Sequence, residues 1–77
     1  MEEYYRHFKG NVYRVIHLAK HSETLEDIVV YQAMYGERGI WVRPKTMFEE
    51  VIERDGKTFR RFSPISAEDA EKIINNL

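Results

Sequence analysis

Residues 28–44, IVVYQAMYGERGIWVRP, place two β-branched and aromatic runs on either side of a Gly-Glu-Arg-Gly link. Such side chains suit a pleated, half-buried surface. A link this short sends the chain back antiparallel to itself, and its glycines accept positive φ. Pro44 offers no N–H and stops the second run. The chain must therefore build outward from an antiparallel ladder. The same punctuation recurs on both sides. YYRHFKG reads as a short strand closing at Gly10, and NVYRVIHLAK as the longest strand. HSETLED supplies a cluster of turn formers. VIER and KTFRRF flank Asp55-Gly56, the strongest hairpin signal in the chain.

The long strand has no plainly wet face. Val12, Ile16 and Leu18 alternate with Tyr13, Val15, His17 and Ala19, and both sets are largely apolar. A central strand of a curled sheet, bending from one packing layer to the next, has this pattern. Two helical segments follow. In KTMFEEV, Thr46 and Glu49 have capping-box spacing and predict one helical turn. In SPISAEDAEKIINNL, Ser66 is a good N-cap, with Asp69 three residues on. Ala70, Ile73, Ile74 and Leu77 form an apolar stripe, and a helix this short must dock on something. The expected fold is mainly β with a C-terminal helix. Residues 4–62 would form a small antiparallel SH3-like barrel, with 63–77 a docked helix of the same domain. An OB-like barrel or an open α+β sheet is the alternative.

A chain of 77 residues is one domain without a linker. It buries only roughly 60% of its unfolded surface, which leaves no room for an enclosed substrate cavity. A site must be a surface groove or be completed by a second subunit. The absence of cysteine excludes disulfides and thiolate metal sites, and a reducing cytoplasm is the natural compartment. No apolar run approaches the ~18 residues of a membrane span, so no membrane partner is expected. MEEYYRHFKG is acidic and then aromatic, unlike a signal peptide. Net charge is −1, but residues 4–64 have a balance of +3 between acidic ends. That is well short of the dense basic field of a phosphate-backbone binder, and a mixed solvated surface accounts for it.

Five short motifs occur in order. They are Tyr5, His7, Phe8, Lys9 and Gly10; His21, Ser22, Glu23 and Thr24; Val29, Val30 and Tyr31; Trp41, Val42, Arg43 and Pro44; and Met47 with Phe48. Together they resemble a small bacterial family known as domain of unknown function 1653. The resemblance covers residues 4–62 and supplies no function. The helix from Ser66 onward lies outside its pattern.

Three constellations are candidates for chemistry. His21, Ser22 and Glu23 are residue types of a hydrolytic site. Adjacent strand residues do not converge, however, and no Gly-rich elbow accompanies Ser22. A hydrogen-bonded turn explains them more simply. His7, His17 and His21 are weak metal ligands, because residues four apart on a strand lie about 13 Å apart. His17 reads as a packed histidine with one hydrogen bond. The aromatics are many for so small a core. Each singly reads as core, but jointly Tyr4, Tyr5, Tyr13, Tyr31, Tyr35 and Trp41 could line a groove rimmed by Lys9 and Arg43. The leading expectation is a binding module for a peptide, a protein or a single-stranded nucleic acid. It would present Tyr5, His7, Lys9, Tyr31, Trp41 and Arg43, with the His21–Thr24 turn. The alternatives are a small hydrolase using His21 and Glu23 at a dimer interface, or a self-association subunit. No cofactor and no metal are implied, and a homodimer is compatible with the chain.

Overall fold

The computed structural model describes residues 3–77. Met1 and Glu2, which begin the segment read as unlike a signal peptide, lie outside the described residues. The elements are β1 (Tyr4–His7), β2 (Val12–Lys20), β3 (Asp27–Ala33), β4 (Ile40–Pro44), α1 (Lys45–Phe48), β5 (Val51–Arg54), β6 (Lys57–Arg60), β7 (Phe62–Ile65) and α2 (Ala67–Asn75). Five strands form one antiparallel sheet in the order β4-β3-β2-β1-β7, and β5 pairs with β6 as a separate hairpin. Asp55 and Gly56 at the tip of that hairpin take φ of 53° and 76°, the positive values a two-residue turn of this hand requires. The fold is mainly β with a C-terminal helix.

The sheet curls without closing. Its edges are β4 and β7, and no ladder joins them. Curvature nevertheless brings the two ends together over one face. Phe48, carried by α1 just beyond β4, stacks on Phe62 of β7 with centroids 4.2 Å apart and planes 6° from parallel. The closed SH3-like barrel expected from the sequence does not form: the five-stranded sheet curves around a core with its ladder left open.

A β-bulge in β2 explains its two apolar faces. Val15 opposes Tyr31, but the next opposed pair is His17 with Val30, so Ile16 is an extra residue. Beyond the bulge the phase reverses, and Leu18 rejoins the face of Tyr13 and Val15. His17 is consequently exposed on the other face, opposite Val30. The expectation of a packed His17 assumed unbroken alternation and is corrected.

The sheet carries a core on each face. One comprises Tyr5, Val29, Tyr31, Phe48 and Phe62, with Tyr13 and Val15 against it. The other comprises Val12, Met34 and Ala70, with Tyr4, Ile65, Ile73 and Ile74 against it. The second is where α2 docks, across β1 and β2. Ser66 caps that helix by accepting the Asp69 N–H at 3.1 Å. Ala70 is fully buried and Ile73 and Ile74 are half-buried, but Leu77 is 74% exposed. The helix ends at Asn75, two residues before the expected stripe does. At α1 the capping box from Thr46 does not form. Pro44 occupies the cap position with no side-chain bond, and the turn closes through Glu49 N–H to the Lys45 carbonyl. One turn held by the burial of Phe48 does not require a polar cap.

Candidate functional site

The His21–Glu26 segment is closed on itself. The backbone N–H groups of Glu23 and Thr24 donate to His21 Nδ1 at 3.1 and 3.3 Å. The Glu26 N–H donates to Thr24 Oγ1 at 3.3 Å. Leu25 N–H reaches the His21 carbonyl at 2.9 Å, and His21 N–H reaches the Glu26 carbonyl at 2.9 Å. The imidazole does here what an Asx or Ser/Thr oxygen does at a helix start: it receives orphaned amides. These bonds place the ring proton on Nε2. Ser22, Glu23 and Thr24 are exposed. The Nδ1 lone pair of His21 is taken up by the backbone.

A second polar group gathers at the opposite end of the first core, around Phe62. His7 packs its ring against Phe8, Phe62 and Tyr13, with centroids at 4.5, 4.9 and 6.2 Å. Its Nδ1 accepts the Lys9 N–H at 3.2 Å. Burial first, then the charges of Arg61, Lys9 and Arg43, hold its imidazole below the usual histidine range. Arg43 lies with its guanidinium 5.9 Å from the Phe62 centroid. Lys9 and Arg54 sit 5.9 and 5.3 Å from the Phe8 centroid. Phe8 also meets Phe59 of β6 at 5.5 Å, so the β5–β6 hairpin brings Arg54 to the β1–β2 turn. Arg61 is bound to the Glu50 carboxylate through Nε and one terminal nitrogen, at 3.2 and 2.9 Å. Among the described residues, Lys9, Arg43 and Arg54 make no ion pair.

From His7 the aromatics continue across the sheet. Tyr13 hydrogen-bonds Tyr35 through their hydroxyls at 2.7 Å. Burial, and then that bond, push the Tyr13 phenol well above its usual range, so it stays a neutral hydrogen-bonding group. Tyr35 and Trp41 line one shallow recess of about 240 Å³. A second, of about 430 Å³, is lined by Arg6, His7, Phe8, Lys9, Gly10, Ser63 and Ile65. Trp41 is 60% exposed.

The structure therefore divides the residues expected at a recognition surface. Tyr5 and Tyr31 are buried and pack on Phe48 at 5.0 and 5.5 Å. They are core rings, and their expected place on a surface is corrected: an aromatic pair this close to Phe48 has no face left for a ligand. His7, Lys9 and Arg43 are brought together. Trp41 stands along the track from them, and the His21–Thr24 turn lies apart, in the loop joining β2 to β3. Sequence reasoning counted Tyr13 and Tyr35 among the groove aromatics but missed Phe8 and Arg54 as parts of the site. Phe8 was visible beside Lys9 in the opening motif, whereas the approach of Arg54 depends on how the hairpin folds back. Among the described residues, no three His, Cys, Asp or Glu side chains gather as metal ligands. None of the described helices is long and apolar enough to cross a membrane.

The sequence pattern of a family described as "Protein of unknown function (DUF1653)" matches residues 3–64. The chain belongs to the DUF1653 family. A crystal structure of another DUF1653 protein, from Bordetella bronchiseptica, superposes with a TM-score of 0.76 at 30% sequence identity, covering 84% of this chain and 86% of that one. No curated protein matches the chain. The DUF1653 match covers β1 to β7 almost completely and stops before α2. Every residue of the basic and aromatic end therefore lies within the family region.

Proposed function

We propose that this DUF1653 domain is a binding module for single-stranded nucleic acid. The observation that carries the reading is the set of three cations, Lys9, Arg43 and Arg54. Each lies over an aromatic ring at one end of the molecule, and none has a carboxylate partner among the described residues. Carbon-rich stems against rings hold the charged heads in place. Ordered, unneutralised cations suit phosphates, and Arg43 can present two N–H groups to one phosphate. Neutral His7 supplies a further donor from Nε2. The Tyr13–Tyr35 pair leads to Trp41, whose exposed ring offers a stacking face worth ~1–3 kcal/mol per base. A protein or peptide partner is the second reading, favoured by the exposure of Ile40, Trp41 and Val42 on the edge strand β4.

Trp41 is the sole tryptophan, so its fluorescence reports on one place. Titration with a short single-stranded oligonucleotide should change it, with a midpoint on the order of micromolar. Affinity should fall with salt at a log–log slope of about −2, since each neutralised single-strand phosphate contributes about −0.7. An acidic peptide that competed equally would overturn the nucleic-acid reading in favour of a protein partner. No response to the oligonucleotide at low salt would sink it.

A further inference from the structure

The two edges of the five-stranded sheet are built differently. The Phe8 N–H bonds to the Arg61 carbonyl, and the register continues with His7 opposite Phe62 and Tyr5 opposite Pro64. Hydrogen-bonded pairs alternate along an antiparallel ladder. Phe62 and Pro64 therefore turn their backbone groups away from β1, at the sheet edge. Pro64 gives that edge no donor, a common way of blocking strand addition. At the other edge, the Ala33 N–H bonds to the Gly39 carbonyl, and the register continues with Gln32 opposite Ile40 and Tyr31 opposite Trp41. Trp41 and Arg43 thus turn their backbone groups toward β3, while Ile40, Val42 and Pro44 turn theirs away from the sheet. The central residue of this edge, Val42, keeps both donor and acceptor. Ile40, Trp41 and Val42 are 62%, 60% and 67% exposed. Three consecutive apolar residues on an open edge are what folded domains ordinarily avoid.

We infer that β4 is a homodimerisation edge, pairing antiparallel with β4 of a second copy about a two-fold axis through Val42. The strand is self-complementary in that register and matches no neighbouring one as well. Each Val42 N–H would donate to the Val42 carbonyl of the other copy, and each Ile40 N–H to the other Pro44 carbonyl. The missing Pro44 N–H then leaves only the Ile40 carbonyls to water. Across the seam Ile40 meets Pro44, Val42 meets Val42, and Trp41 meets Arg43, all on matching faces. No like charges are opposed, and Arg43 faces an indole, the best cation–π acceptor. Both copies bring the same patch, as a closed two-fold interface requires. A shift of two residues would oppose Arg43 to itself and lose the central pair. The inference does not depend on nucleic-acid binding, because the seam is held by backbone groups of Ile40, Val42 and Pro44, although its side chains Trp41 and Arg43 are shared with the proposed nucleic-acid surface.

The chain contains no cysteine, which permits a direct test. In this register the Val42 Cα atoms would be about 5.5 Å apart, within disulfide range. Two Ile40 residues would be separated by about 13 Å along the strands and could not be bridged. Single variants Val42→Cys and Ile40→Cys are oxidised at matched concentration, alongside sedimentation of the wild type and Val42→Lys over a wide concentration range. Dimers should form in the wild type as concentration rises. Val42→Lys should weaken them by at least about tenfold, the effect of apposing two charges, with an unchanged melting temperature at concentrations where both proteins are monomeric, because the side chain is exposed. Val42→Cys should cross-link at least about tenfold faster than Ile40→Cys. A wild type that stays monomeric throughout would overturn the proposal, leaving the edge to another protein's strand. Equal cross-linking of the two variants, or a dimer indifferent to Val42→Lys, would also overturn it, pointing to association through a different face.

Discussion

Two histidines of this domain accept backbone N–H groups through Nδ1, and their surroundings could hardly differ more. His21 sits in a loop whose polar groups bind one another, and the network is complete within six residues. His7 sits on the aromatic floor of the sheet, beside Lys9 and Arg43, which have no ion-pair partner among the described residues. The difference teaches how to separate a structural polar cluster from an available one. Residue type does not do it, since the His21 segment has the more chemical composition. What separates them is where the donors and acceptors go. Amides satisfied by an imidazole are a fold's own requirement. Charges held in place by ring contacts alone retain their capacity for something else.

The floor itself should show the largest effect. Phe62 touches Phe48, Tyr13, Tyr31, His7 and Arg43, and is 2% exposed. Phe62→Ala should lower stability by about 3–5 kcal/mol in denaturant unfolding, the cost of a large core cavity. It should also loosen His7 and Arg43, while the His21 loop keeps its bonds until the domain unfolds. A loss below about 1 kcal/mol would mean that the two ends of the sheet are not joined through this ring.

His21→Ala comes next. It orphans the amides of Glu23 and Thr24, and should cost about 1–2 kcal/mol at the scale of one hydrogen bond each. Thr24→Val, which removes only the bond to Glu26, should cost about 1 kcal/mol or less. An unchanged melting temperature in both variants would show the loop to be closed in geometry but not in energy, and would erase the contrast with His7.

The smallest effect is in pH. His7 is held below its ordinary value of 6.5, first by burial and then by Arg61, Lys9 and Arg43. As pH falls, the unfolded chain takes up this proton before the folded one does. Stability should therefore be at its full value above about 6.5 and decline as pH drops through that value toward the lower folded one. His7→Gln should flatten this part of the profile, measured by thermal melts between pH 7 and 5. A profile identical to wild type would place the pH dependence elsewhere.

Much of the strand and turn order was legible in the sequence, because it rests on local chemistry. The Asp55-Gly56 hairpin, the Ser66 cap, the Pro44 strand end and the polar turn at His21 each depend on residues within a few positions. The bulge at Ile16 was not legible, since an extra residue in one strand is defined only against its partner. Its trace was the apolar character of both faces of β2. The site was legible in part. Lys9, Arg43 and His7 could be named as polar residues near aromatics, but which aromatics stayed exposed depended on sheet curvature. Tyr5 and Tyr31 fell under Phe48, while Phe8 and Tyr35 are only half-buried. Burial of a tyrosine is a tertiary fact, and an alternating strand does not announce which of its faces a helical turn will cover.

The central claim is that the polar cluster at His7 and Arg43 is available to a ligand and the one at His21 is spent on the fold. The most direct test measures affinity for one single-stranded oligonucleotide, its salt slope and the melting temperature for Arg43→Gln and His21→Ala side by side. Arg43→Gln should bind about tenfold more weakly, the scale of one charge-assisted contact, and lose about 0.7 from the salt slope with little change in melting temperature. His21→Ala should melt at a lower temperature and bind with wild-type affinity and slope. The reverse outcome, with His21→Ala abolishing binding in a fully stable domain while Arg43→Gln binds normally, would contradict the account and move the site to the turn.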